Sequence, residues 1–109
     1  QQVLINLLIN AHDAMPDGGT LQLVLTQDPA ARHQIIQVRD SGVGIAPEHL
    51  GRLFDPFFTT KDPGRGTGLG LAISARIIES FGGRITVRSR VGQGSCFTVI
   101  LPSAEQRLV

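Results

Sequence analysis

The stretch Lys61-Asp62-Pro63-Gly64-Arg65-Gly66-Thr67-Gly68-Leu69-Gly70 runs straight into the apolar segment Leu-Ala-Ile-Ser-Ala-Arg-Ile-Ile-Glu-Ser-Phe at 71–81. Glycines at every second position ahead of a helix start leave a row of bare backbone N–H groups beside the positive end of a helix dipole. Lys61 and Arg65 add two cations on the approach. This is how a chain holds phosphates. The spacing predicts a helix over 68–81, stopped by Gly82 and Gly83.

Outward from this loop, periodicity predicts the other elements. Residues 1–15 read as a helix, ended by Pro16, Asp17, Gly18 and Gly19. In 20–26, Leu21, Leu23 and Leu25 alternate with Gln22, Val24 and Thr26, and 34–40 alternates similarly across a turn-prone 28–33, which predicts a hairpin. A loop follows over 42–51, with one helical turn from Pro47, and 54–66 is irregular. Residues 84–91 and 95–101 form a second hairpin across Gly92, Gln93 and Gly94. Helices on one face of a mostly antiparallel, mixed sheet make an α+β fold, a two-layer α/β sandwich.

Bulk properties narrow the class. A chain of 109 residues, 41% hydrophobic and 17% charged, suits one globular domain over 1–102 with a polar tail at 103–109. A formal charge of +1 gives no global field to draw nucleic acid or an anionic membrane, so anion binding must come from local geometry. The longest apolar run, 3–9, is broken by Asn6 and falls far short of the roughly 20 residues of a membrane span. The single Cys96 cannot form an internal disulfide and is read as a small core side chain, in keeping with reducing, cytoplasmic conditions. The helix-like start at Gln1, with no methionine or leader, suggests a piece of a longer protein.

Two further signals point to a ligand. On a helical wheel Gln2, Asn6, Asn10 and Asp13 share one narrow stripe, while the other sides of the first helix are mostly apolar and read as buried. The amides either satisfy loop backbone or face a polar ligand. Amide oxygens can complete a Mg²⁺ shell when phosphates and waters supply the rest. Asp40 shares its strand face with Ile36 and Val38, so its carboxylate points toward the core and needs donors. Ser41, Gly42, Val43 and Gly44 follow, and their glycines allow close approach of a flat ligand. Asp40 is either the cap of a tight turn or an acceptor for a purine amine.

Together these stretches resemble one family. Asn6-Leu7-Leu8-Ile9-Asn10-Ala11 resembles its N box, Asp40-Ser41-Gly42-Val43-Gly44 its G1 box and Phe54-Asp55-Pro56-Phe57-Phe58 its F box. Gly66-Thr67-Gly68-Leu69-Gly70-Leu71 resembles the G2 box, and Gly92-Gln93-Gly94-Ser95 the final glycine-rich turn. These are the marks, in order, of the catalytic ATP-binding domain of bacterial sensor histidine kinases in the GHKL superfamily, which has the Bergerat-type ATP-binding fold. Phe57-Phe58-Thr59-Thr60-Lys61 is similar to the nitrogen-regulation sensor kinases.

The resemblance implies that Asn10 holds Mg²⁺ together with the ATP phosphates, that Asn6 supports that site, and that Asp13 lies nearby. Asp40 would accept the adenine amine, with Gly42, Gly44 and Ile45 lining the base pocket. Ala14, Phe54, Thr60, Thr67, Leu69 and Ser95 complete the implied ATP contacts, and Gly66, Gly68 and Gly70 pass the phosphates. Residues 59–65 would be a mobile lid carrying Lys61 and Arg65 as candidates for the γ-phosphate, against the alternative of solvated charges. Phe54, Phe57 and Phe58 would anchor the lid and face the partner domain, or pack in the core.

The implied activity is phosphoryl transfer from Mg·ATP to a histidine, with the protein supplying positioning and charge stabilisation. His12, His33 and His49 lack the family's phosphoacceptor context, so the acceptor is expected on a dimerisation domain preceding Gln1, with a response regulator receiver domain as the next partner. A strand usually precedes the N box and is expected there too. Asn6 stands where related ATPases carry a catalytic glutamate, and an amide is no general base, which disfavours hydrolysis. An anti-sigma-like serine kinase and a non-catalytic nucleotide-binding module are the other readings.

Overall fold

The alternating segments form the sheet that the periodicity predicts. The computed structural model describes residues 2–28, 30, 32–58 and 70–102. In chain order these are α1 (Gln2–Asp13), β1 (Leu21–Asp28), β2 (His33–Asp40), α2 (Pro47–Leu50), α3 (Gly70–Ser80), β3 (Arg84–Arg90) and β4 (Gly94–Pro102). The sheet order is β1-β2-β4-β3, and every neighbouring pair of these strands is antiparallel, so the mixed character expected from sequence is not found among the described residues.

Register assigns each side chain to a face. Leu23 pairs with Val38, Val38 with Phe97, and Phe97 with Val87, so these four share the side that meets the helices. There Val3, Leu7 and Ala11 of α1 and Ile78 of α3 pack with Val38, Phe97 and Val99 to make the core. α1 lies over β2 and α3 over β3. β1 is left at the rim, with Leu21, Leu23 and Leu25 44, 47 and 71% exposed although they face the helix side. Ile5 and Ile9 are also about half exposed, which corrects the expectation of a first helix buried on every apolar side. Only one flank of α1 meets α3 and the sheet.

The far face of the sheet is polar. Arg39 and Arg88 stand directly opposite Cys96 on either side, and Arg84 and Arg90 extend the row along β3. Cys96 is half-buried on this face with its Sγ 3.9 Å from Thr98 Oγ1. It is therefore not the core side chain that the alternation suggested. The core parity belongs to Phe97, Val99 and Leu101.

Glycine ends α3 as its sequence position requires. Gly82 takes φ +82°, its N–H bonds Glu79 O at 3.0 Å, and the Gly83 N–H bonds Ile78 O at 3.0 Å. That double return satisfies carbonyls a helix end otherwise leaves unpaired.

Candidate functional site

β2 delivers Asp40 to the helix side of the sheet with 9% of its surface exposed. Its Oδ1 accepts the Gly42 N–H at 2.9 Å, so the turn-capping role is present. The second carboxylate oxygen accepts no hydrogen bond among the described residues. One acceptor holds the turn; the other is available.

The turn after Asp40 is clamped by backbone from three directions. A Cβ at Gly42 would come within 2.2 Å of Ala14 O at the end of α1, and one at Gly44 within 2.1 Å of Arg90 O on β3. Val43 bridges both neighbours, its N–H donating to Ala14 O at 2.9 Å and its carbonyl accepting the Gly92 N–H at 2.8 Å. A Cβ at Gly94 would meet Asp40 O at 2.0 Å. These glycines are bare because protein backbone occupies the space a side chain would need.

Serines complete the clamp. Ser89 Oγ accepts the Ile45 N–H at 2.8 Å, donates to Gly94 O at 3.0 Å and lies 2.8 Å from Ser95 Oγ. Ser95, an expected ATP contact, is buried and pairs in register with Asp40. Ser89 was not anticipated. Its signal is its register with Ser95, which places two hydroxyls on the core parity of β3 and β4, where apolar residues otherwise stand.

The polar stripe of α1 splits in two. Asn6 Nδ2 donates to Gly70 O at 3.3 Å and to Ser74 Oγ at 3.1 Å, while its Oδ1 accepts Gln2 Nε2 at 3.2 Å. For Asn6, the reading that these amides satisfy backbone is the one observed. Asn10 is half-buried one turn on, Asp13 is exposed beside His12, and half-buried Ala14 receives the Gly42 and Val43 backbone. α1 thus runs from a contact with the first turn of α3 to a contact with the Asp40 turn.

The aromatic residues divide as well. Phe54 packs against the core, Phe57 is 72% exposed with φ +68°, and Phe58 holds the Arg52 guanidinium 4.8 Å above its ring with His49 5.5 Å away. Thr60, Lys61, Arg65, Gly66, Thr67, Gly68 and Leu69, with the lid at 59–65, lie outside the described residues, as does the tail at 103–109. Only Gly70 of the glycine run is described, as the first residue of α3. No helix among the described residues is long and apolar enough to cross a membrane.

A four-stranded antiparallel sheet backed by helices matches the architecture of histidine kinase catalytic domains. Residues 1–105 match the model of the histidine kinase-, DNA gyrase B- and HSP90-like ATPases, and the chain belongs to that family. It is 48% identical over 101 residues to the sensor histidine kinase ZraS of Salmonella typhimurium, covering 93% of this chain and 21% of that protein. It is 45% identical over 113 residues to sporulation kinase E of Bacillus subtilis, covering 98% of this chain and 14% of the relative. The chain spans a small fraction of the length of these relatives. Among solved structures, the mycobacterial sensor histidine kinase MprB is similar at a TM-score of 0.81 and 30% identity over 93% of this chain and 70% of that one. Full-length ShkA in complex with AMPPNP is similar at a TM-score of 0.82 and 33% identity, over 93% of this chain and 20% of that one.

Proposed function

We propose that this chain binds Mg·ATP and donates the γ-phosphoryl group to a histidine on a separate dimerisation domain of the same kinase, from which a response regulator receiver domain takes it. The observation that carries the reading is the Asp40 carboxylate. One oxygen is spent on Gly42; the other takes no hydrogen bond among the described residues and, since no fully buried side-chain oxygen there is left unpaired, keeps an accessible edge that a purine amine would meet.

The donor set suits the metal and nucleotide. Asn10, half-buried on the stripe that also carries Asp13, would hold Mg²⁺ jointly with phosphate oxygens, a sparse protein share that Mg²⁺ accepts because it keeps phosphate and water ligands. The bound ion supplies neutralisation of charge on the triphosphate. Asp40 and the clamped turn would fix the base, and Gly70 begins the helix whose end would face the phosphates. Lys61 and Arg65 would contact the γ-phosphate. Asn6 supports transfer over hydrolysis: it is an amide turned toward a carbonyl, and it has no basic atom to activate water.

The test is Asp40→Asn. The asparagine Oδ1 can still accept the Gly42 N–H, but the outer atom becomes a donor and confronts the adenine amine. ATP affinity measured by calorimetric titration should fall at least about thirtyfold, the equivalent of losing one hydrogen bond to a charged group, while thermal unfolding stays cooperative. An unchanged titration removes Asp40 from the site.

A further inference from the structure

Ser74 lies in the middle of α3 and is 0% exposed, between the buried apolar residues Ala72 and Ile78. A hydroxyl is a poor choice there on packing and helix-propensity grounds alone, since alanine would fill the position without a polar group to satisfy. Its Oγ takes a hydrogen bond from Asn6 Nδ2 at 3.1 Å, the same nitrogen that donates to Gly70 O at 3.3 Å. An ideal Cβ on Gly70 would lie 3.8 Å from Asn6 Cγ, so the first turn of α3 rests on the Asn6 side chain. The Gly70 carbonyl can only accept, which obliges the asparagine to present its NH₂ group to α3. Ser74 Oγ receives that group as well and fixes its direction, while Gln2 donates to Oδ1 on the opposite side.

We propose that Ser74 is a positioning residue for the phosphate end of the nucleotide site, acting through Asn6. The inference rests on the nucleotide-binding reading of Asp40 and Asn10. Asn10 follows Asn6 by one helical turn on the same stripe, and Gly70 opens the helix whose first-turn N–H groups would face phosphate. The Asn6 to Ser74 contact therefore sets the separation between the metal ligand on α1 and the dipole end of α3. Asp40, at the other end of α1 and on the sheet, does not depend on it. A carboxylate at position 6 would set an oxygen against Gly70 O and lose that donor, although the Ser74 hydroxyl could turn to donate to it.

The test compares Mg·ATP with adenosine, which lacks phosphates, by NMR titration of the chain and its Ser74→Ala and Asn6→Ala variants. Each variant should weaken Mg·ATP by roughly three- to tenfold, the value of one hydrogen bond, and leave adenosine affinity within about twofold. The double variant should be scarcely weaker than Asn6→Ala alone, since that change already removes the Asn6 to Ser74 contact. Ser74→Thr, which keeps the hydroxyl, should restore Mg·ATP affinity. A parallel loss of ATP and adenosine, or an unchanged ATP affinity in Ser74→Ala, overturns the proposal. If the unaltered chain binds adenosine and ATP alike, phosphate plays no part in binding and the inference falls with Asp40 retained. If it binds neither, the nucleotide reading itself is wrong.

Discussion

Replacing Gly94 by alanine isolates how closely the Asp40 turn is packed, because Gly92 two residues earlier provides a matched control. Both glycines have positive φ, +110° at Gly94 and +81° at Gly92, so both substitutions carry a backbone penalty of about 1–2 kcal/mol or slightly more. They differ in surroundings. Nothing lies within 4 Å of a Cβ at Gly92, whereas at Gly94 it would sit 2.0 Å from Asp40 O, 2.9 Å from Asp40 C and 3.0 Å from Ser41 Cα. These atoms are backbone and cannot swing aside, so β4 must part from β2 at the Asp40–Ser95 pair. Overpacking of this kind costs about 1–3 kcal/mol in addition. Gly92→Ala should therefore lose about 1–2 kcal/mol and Gly94→Ala about 2–5 kcal/mol. For a domain of this size each kcal/mol moves the unfolding midpoint by about 4–8 °C, so the two variants should melt roughly 5–20 °C apart. Scanning calorimetry of the pair, with adenosine titration of whichever variant remains folded, measures both the gap and the displacement of Asp40. Equal melting temperatures for the two variants would refute the argument that backbone crowding holds the turn.

Two other outcomes follow from the same region. Asn10→Ala should abolish the difference between ATP affinities measured with Mg²⁺ and with EDTA, whereas a retained metal dependence assigns Asn10 a structural role. Ser89→Ala removes the partner of the Ile45 N–H together with contacts to Gly94 O and Ser95, and should cost about 1–3 kcal/mol by chemical denaturation; a loss under about 0.5 kcal/mol would mean the loop is held by its backbone alone.

Much of the fold was legible because a strand needs only its parity to be read. Asp40 was placed on the core side from Ile36 and Val38, and the structure puts it there, nearly buried. The stop at Gly82 and Gly83 was equally local. Cys96 went wrong because alternation separates two faces without saying which one is covered. The bulkier set, Phe97, Val99 and Leu101, was the available cue. The glycines of the Asp40 turn and of the Gly92–Gly94 turn were recognised, but their nearest atoms belong to Ala14, Arg90 and Asp40, contacts between segments distant in sequence that no local pattern encodes. Ser74 and Ser89 were missed for the same reason. Each is a single hydroxyl in an otherwise ordinary element, and its meaning comes from a partner many residues away.

The arginine row on the outer sheet face also shapes how the molecule meets its surroundings. Arg39, Arg84, Arg88 and Arg90 point outward there with Asp28 as the only acid in register on that face, while the whole chain carries a formal +1, so everything else is left with a net of about −2. Among the described residues, the outer sheet face is thus a basic patch of about +3 set in a remainder that is net acidic. An acidic surface attracts this face first, and the attraction weakens as salt shortens the reach of the field.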